Sequence, residues 1–211
     1  MIADLVPDGV QAWEAYGDAG PEAAIVLFPA EQALVEGVVE NRRLEFTTVR
    51  GCARRALARL GVAAEPLVPG ELGAPRWPAG VVGSMTHCRG YRAAAVARAV
   101  HVAGLGIDAE PAEPLPAVVA ARTVPDAERD WLEADFRAAA DVPLDRLLFC
   151  AKEASYKAFS PWLGSRFGFN DFRVRLASDG TFQGAPPDGS GGFSGRWTAR
   201  SGYLLAVVCL A

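Results

Sequence analysis

Three segments of the N-terminal half of this chain recur, in the same order, in its C-terminal half. Gly106-Ile107-Asp108-Ala109-Glu110 matches Gly9-Val10-Gln11-Ala12-Trp13, and Arg146-Leu147-Leu148-Phe149 matches Arg43-Leu44-Glu45-Phe46. Gly202-Tyr203-Leu204-Leu205-Ala206-Val207-Val208 matches Gly90-Tyr91-Arg92-Ala93-Ala94-Ala95-Val96. The offsets rise from 97 through 103 to 112, as insertions in loops require. Each match is short, but three in one order imply a duplicated α/β unit of about 100 residues, a usual size for a domain. The seam falls near Ala103-Gly104, dividing the chain into halves 1–104 and 105–211. A cleft between two such halves is a favoured place for a ligand.

Apolar spacing predicts the elements within the halves. Segments 9–14 and 23–28 read as strands, and 31–60 as a helical stretch broken near Asn41-Arg42-Arg43. In its second part Phe46, Val49, Ala53, Ala56, Leu57 and Leu60 recur at helical spacing, and Gly61 closes it. The stretch 66–78 is Pro- and Gly-rich loop. Val81-Val82-Gly83-Ser84-Met85-Thr86-His87-Cys88 and Tyr91-Arg92-Ala93-Ala94-Ala95-Val96-Ala97 then read as strand, turn, strand. A second helix runs through 147–159, with Leu147, Ala151, Ala154, Ser155 and Ala158 on one side and Arg146, Glu153 and Lys157 on the other.

With 211 residues, 51% of them hydrophobic and 22% charged, the chain has the makings of a substantial core. A net charge of -4 leaves no basic excess to neutralise phosphates, so nucleic acid is not the expected partner. No apolar run approaches the roughly 20 residues that span a bilayer. Met1-Ile2-Ala3-Asp4 does not open a signal peptide, so a cytoplasmic location away from membranes is expected. Cys52, Cys88, Cys150 and Cys209 lie far apart and read as core residues in a reducing compartment, not zinc ligands or disulfides. No Ser-His-Asp order, Walker loop or Rossmann fingerprint is present, which disfavours the common hydrolases, NTPases and dehydrogenases.

Four groups of residues carry candidate chemistry. The only two lysines, Lys152 and Lys157, flank Glu153, against nineteen arginines elsewhere. A composition that favours arginine this strongly spares a lysine where a compact, movable charge is needed. Glu153 and Lys157 also suit an ordinary i,i+4 pair on a helix surface. Asp108 and Glu110, two apart on a predicted strand, project to the same side. With Glu153 they would make an oxygen-rich corner suited to Mg²⁺, and they equally suit a strand end before the Pro111 turn. Arg42, Arg43, Arg50 and Arg54 form a basic strip that fits phosphate oxygens or a solvated helix face. His87, beside Ser84 and Thr86, is placed to donate to phosphate or to bond locally; His101 is expected to be structural.

Together these residues resemble the 4′-phosphopantetheinyl transferases of the larger, pseudo-dimeric type, in particular the branch with the enterobactin synthetase component and the mycobacterial enzyme. The likeness rests on Gly106-Ile107-Asp108-Ala109-Glu110 and Ala151-Lys152-Glu153-Ala154-Ser155-Tyr156-Lys157-Ala158. Arg42-Arg43-Leu44-Glu45-Phe46-Thr47-Thr48-Val49-Arg50 and Gly83-Ser84-Met85-Thr86-His87-Cys88 extend it over about 42–169 and the last strand. It implies an α+β fold of two pseudo-two-fold related subdomains, each a small, mainly antiparallel sheet packed on a long helix. It also implies Mg-dependent transfer of the phosphopantetheine arm of coenzyme A to a serine of an apo acyl or peptidyl carrier protein, releasing adenosine 3′,5′-bisphosphate.

By the same likeness Asp108, Glu110 and Glu153 would hold Mg²⁺, with Mn²⁺ as an alternative. Lys152 and Lys157 would reach the pyrophosphate, Arg42 and Arg50 the 3′-phosphate, and Thr86 with His87 the phosphates nearby. Glu153 and Lys157 are the expected catalytic residues, and either Glu153 or a metal-bound water would take the serine proton. One departure concerns a loop lysine usual near a Gly-x-Pro turn: here Gly73-Ala74-Pro75 has no basic residue between Arg59 and Arg76. The acidic carrier would meet Arg89 and Arg92, or the loop 160–169 with Trp162 and Phe167. A monomer is expected. A non-catalytic module binding coenzyme A or a carrier, and another Mg-dependent enzyme of nucleotide pyrophosphates, are the alternative readings.

Overall fold

The computed structural model describes residues 1–70, 73–125, 128, 132, 142–163 and 167–211. Among these, eight strands form two antiparallel sheets. The first has β1 (Gln11–Tyr16), β2 (Val81–Cys88) and β3 (Tyr91–Arg98) in the order β1-β3-β2. The second has β4 (Gly104–Pro111), β5 (Arg173–Leu176), β6 (Thr181–Ala185), β7 (Phe193–Arg200) and β8 (Tyr203–Leu210) in the order β4-β8-β7-β6-β5. Helices whose bounds lie within the described residues are α1 (Pro29–Gln32), α2 (Glu40–Arg59), α3 (Ala117–Thr123) and α4 (Leu144–Leu163). Helix α2 packs on β1 and β3, and α4 packs on β4 and β8. Each sheet thus repeats one scheme: a leading strand, a long helix, then a returning hairpin whose last strand pairs with the first. The β5–β6 hairpin extends that scheme in the second sheet. This is a mixed α+β architecture with small antiparallel sheets on long helices.

The cores follow from strand alternation. On β3, Ala94 and Val96 face α2, where Cys52, Ala53, Ala56 and Leu57 are buried. Tyr91, Ala93, Ala95 and Ala97 face the other way, with Leu105, Ile107 and Ala109 of β4 and Leu205 and Val207 of β8. Both faces of β3 are buried, which explains its near-continuous apolar sequence. The two sheets meet where β2 runs beside β4. No backbone ladder joins them there: the Ile107 N–H donates to Ser84 Oγ at 3.0 Å and the Ala109 N–H to Thr86 Oγ1 at 3.1 Å.

The opposite face of β4 is cut away to let α4 approach. A Cβ on Gly106 would stand 1.9 Å from the Ala154 carbonyl oxygen, and one on Gly104 would stand 2.5 Å from that of Ala158. Two missing side chains therefore set the helix directly on the strand, and the next residue on that face is Asp108. Gly106→Ala is expected to lift α4 and lower stability by about 1–3 kcal/mol, the usual range for overpacking. Thermal unfolding tests this; an unchanged midpoint would mean that the helix has room to spare.

Two predicted elements differ. Segment 23–28 is not a strand. It crosses α2, where the Glu22 carbonyl oxygen would lie 2.2 Å from a Cβ on Gly51, and Arg54 Nη1 donates to the Val26 carbonyl at 2.7 Å. It pairs with no strand, so apolar content alone does not make it extend into a ladder. The predicted break at Asn41-Arg42-Arg43 instead falls earlier: α1 ends at Gln32 and α2 begins at Glu40. Gly37, at φ 74, supplies the left-handed residue for that turn. Among the described residues no helix is long and apolar enough to cross a membrane. The four cysteines are free thiols. His101 is exposed in the turn before β4.

Candidate active site

Asp108 is 5% exposed. Its Oδ1 accepts from Lys157 Nζ at 2.6 Å and from Thr86 Oγ1 at 3.1 Å, and Lys157 Nζ also donates to the Ile107 carbonyl at 3.3 Å. Lys157 and Glu153 lie one turn apart on α4, so the seating of that helix on Gly106 and Gly104 sets Lys157 on Asp108 and brings Glu153 within electrostatic reach of it. Glu110, next on the same side of β4, accepts from Arg146 Nη1 at 2.7 Å through Oε2.

The electrostatics of this corner are those of three carboxylates sharing too little positive charge. Burial pushes Glu153 up to about 7; Lys157 opposes the rise, while Asp108 and Glu110 add to it. Burial and the charge of Asp108 raise Glu110 against the pull of Arg146. Burial alone would lower the Lys157 pKa, but Asp108 and Glu153 more than offset this and raise it. Lys157 is therefore an ammonium through neutral pH.

The corner suits a hard divalent cation in one specific respect. Asp108 Oδ2 is buried and has no hydrogen-bond partner among the described residues. An orphaned carboxylate oxygen is costly unless a cation or proton meets it. Still, no group of three His, Cys, Asp or Glu side chains among the described residues stands in a metal-holding arrangement. The carboxylates lean on Lys157 and Arg146 instead, as carboxylates do when those are the nearest positive charges.

Beside this corner, Arg42 is half-exposed and its Nη1 lies against His87 Nε2 and 3.2 Å from Glu45 Oε2. Burial and the Arg42 charge lower the His87 pKa, favouring the neutral ring that can accept from a guanidinium. A cleft of about 600 Å³ is lined by Lys157 with Ser84, Gly104, Tyr156, Trp77 and Trp162.

Several predicted contacts are redirected. Lys152 does not reach the corner: it is 1% exposed and donates to the Thr123 carbonyl at 3.0 Å and to Glu128 at 2.6 Å. A residue step on a helix turns the side chain by about 100°, so Lys152 and Glu153 cannot serve the same spot. Arg50 is also enclosed, with Nη2 on the Leu67 carbonyl at 2.9 Å, Nε 3.5 Å from Glu31 and its guanidinium over the Phe46 ring. Thr86 bridges β2 to β4 and orients Asp108; its hydroxyl is not turned to an open phosphate site. Arg92 is 3% exposed and bonded to Asp18 and Glu45, so it offers nothing to a partner, whereas Arg89 is exposed beside Glu113. Trp162 is 53% exposed; Phe167 packs partly on the core; 164–166 of the predicted carrier loop lie outside the described residues. Arg76 is exposed.

The sequence reading missed the roles of Ser84, which ties β2 to β4, and of Arg146. A signal for the latter existed, because Arg146 falls on the same side of α4 as Glu153 and Lys157.

Comparison with known proteins assigns the class. The 4′-phosphopantetheinyl transferase N-terminal domain profile matches residues 30–97, and that of the 4′-phosphopantetheinyl transferase superfamily matches 104–208. The chain is 46% identical to 4′-phosphopantetheinyl transferase Svp of Streptomyces mobaraensis over 220 residues, covering 100% of this chain and 89% of that protein. It is 42% identical to 4′-phosphopantetheinyl transferase Npt of Nocardia iowensis, with 100% of both chains covered. It is 38% identical to 4′-phosphopantetheinyl transferase PptT of Mycobacterium tuberculosis, covering 100% of this chain and 98% of that one. The chain belongs to the 4′-phosphopantetheinyl transferase family, and it is an enzyme of that type.

The enclosed Lys152 gives a prediction that separates structure from catalysis. Lys152→Met is expected to destabilise the fold by about 3–5 kcal/mol, because Glu128 keeps a charge without its partner. The KM for the phosphopantetheinyl donor in the folded fraction should stay unchanged. A selective rise in that KM with normal stability would put Lys152 back at the substrate.

Proposed function

We propose that this enzyme transfers the 4′-phosphopantetheine arm of coenzyme A to a serine hydroxyl of an apo acyl or peptidyl carrier protein. The observation that carries the reading is Asp108, buried, bonded through Oδ1 to Lys157 at 2.6 Å and left with an unpartnered Oδ2. The serine Oγ attacks the pantetheine-bearing phosphorus of the pyrophosphate. The P–O bond to the adenosine side breaks, and adenosine 3′,5′-bisphosphate departs with the electron pair. Such a transfer asks for in-line positioning and charge stabilisation more than for covalent chemistry.

Asp108, Glu110 and Glu153 would hold Mg²⁺, with Mn²⁺ as an alternative, and the ion supplies Lewis-acid withdrawal of charge from the pyrophosphate. Lys157 neutralises the departing oxygen. Glu153, or a water held beside it, receives the serine proton. Arg42 and His87 bind the phosphates of the nucleotide side. Residues 1–104 thus serve the adenosine 3′-phosphate, and 105–211 carry the metal and the catalytic pair. The cleft toward Trp77 and Trp162 accepts the extended arm; its apolar lining, with Lys157 in its wall, supports this. Free thiols at all four cysteines support a cytoplasmic location, and the presence of every required group in one chain supports a monomer.

The direct test is intact-protein mass spectrometry of an apo carrier incubated with this enzyme, coenzyme A and Mg²⁺. A mass gain of one phosphopantetheine arm, abolished by EDTA, is expected. Adenosine bisphosphate released in the absence of any carrier would point instead to a pyrophosphate hydrolase.

A further inference from the structure

Arg146 lies in the first turn of α4, with 16% of its side chain exposed. Its three nitrogens each have a different acceptor: Nη1 donates to Glu110 Oε2 at 2.7 Å, Nε to the Glu113 carbonyl at 3.0 Å and Nη2 to the Pro114 carbonyl at 3.1 Å. Its neighbour Asp145 secures the same junction from the other side, accepting from the Leu115 N–H and the Arg146 N–H, both at 2.8 Å. The turn after β4 and the start of α4 are therefore clamped together around one guanidinium.

We infer that Arg146 is a positioning residue: pinned by the two carbonyls, it fixes Glu110 by Oε2 and leaves Oε1 as the oxygen for the divalent cation. The inference rests on the proposed cation corner and deepens it. A glutamate at a strand end has three rotatable bonds, and holding one oxygen removes most of the orientations that a cation would have to freeze out. The planar fork matters as much as the charge. Acceptors fanned around one side chain match the fixed, widely spaced N–H groups of a guanidinium, whereas an ammonium offers its three from a single atom. The placement also explains why a residue seven positions before Glu153 bears on the same corner: two helical turns bring it back to the same side of α4. Partners that orient a ligand in this way are commonly worth 10–100-fold in metal affinity.

The test is Mn²⁺ titration of the full chain, followed by electron paramagnetic resonance, in wild type, Arg146→Gln, Arg146→Lys, Glu110→Gln and the double variant E110Q/R146Q. Arg146→Gln is expected to weaken Mn²⁺ binding by about 10–100-fold. Arg146→Lys, which keeps the charge and loses the fork, should recover only a minor part of that loss. Once Glu110 is glutamine, removing Arg146 should have no further effect. The inference is overturned if the folded variants bind Mn²⁺ like wild type, if lysine restores affinity fully, or if the loss is the same with and without the Glu110 carboxylate. If Arg146→Gln does not fold, the lysine variant carries the same comparison. Wild-type chain that binds no Mn²⁺ removes the cation corner itself, and that outcome is distinct from unaltered binding in the variants.

Discussion

Lys157→Ala is expected to lower turnover by about 10²–10³, the range seen when one pre-organised electrostatic partner is deleted. The ammonium is 2.6 Å from Asp108 Oδ1 and 3.3 Å from the Ile107 carbonyl, so it is fixed in place before substrate arrives. Its raised pKa keeps it charged where the reaction runs, since Asp108 and Glu153 outweigh the lowering effect of desolvation. The alanine variant leaves the departing phosphate without that charge and leaves Asp108 with the Thr86 hydroxyl and the cation alone. Lys157→Arg should fail to restore the rate: a planar fork aimed at Asp108 does not replace a compact charge between a strand and a pyrophosphate. Initial rates of holo-carrier formation by mass spectrometry read both variants. Near-normal turnover in the alanine variant would remove Lys157 from the chemistry.

What the sequence disclosed about this site was whatever a local period encodes. Asp108 and Glu110 share a side because strand residues alternate, and Glu153 and Lys157 share one because helix residues recur at i,i+4. The hairpin of β2 and β3 was legible because both strands are long and bounded by a tight turn. Positions whose partners come from far along the chain were not legible. Arg50 and Arg54 sit on a basic strip, but Glu31, twenty or so residues earlier and fully buried, captures them both. Lys152 shares a motif with Glu153, yet its burial against Glu128 follows from packing that no helical period reports. Segment 23–28 carries the apolar residues of a strand, yet it lies against α2 and joins no sheet. Thr86 reads as a free hydroxyl until β4 is laid beside β2.

Glu153→Gln is expected to lower turnover by a similar factor of about 10²–10³ and, in addition, to erase a pH dependence. Glu153 titrates near 7 in the metal-free fold, driven up by burial and by Asp108 and Glu110 in spite of Lys157. Because the folded value lies above the unfolded one, the folded chain holds a proton that the unfolded chain has released. Metal-free stability therefore falls as pH rises from about 4.5 through 7. A divalent cation entering the corner must displace that proton. Its apparent affinity should rise by up to tenfold per pH unit below 7 and level off above it. Glu110, also raised, acts in the same direction. Glutamine has no proton to displace at that position, so the variant should bind the ion more weakly and with a flatter profile between pH 6 and 8. Calorimetric titration of Mg²⁺ or Mn²⁺ at pH 6, 7 and 8, in buffers of different ionisation enthalpy, counts the protons released. A wild-type affinity that does not change with pH, or a glutamine variant that keeps the full slope, would show that Glu153 does not face the ion.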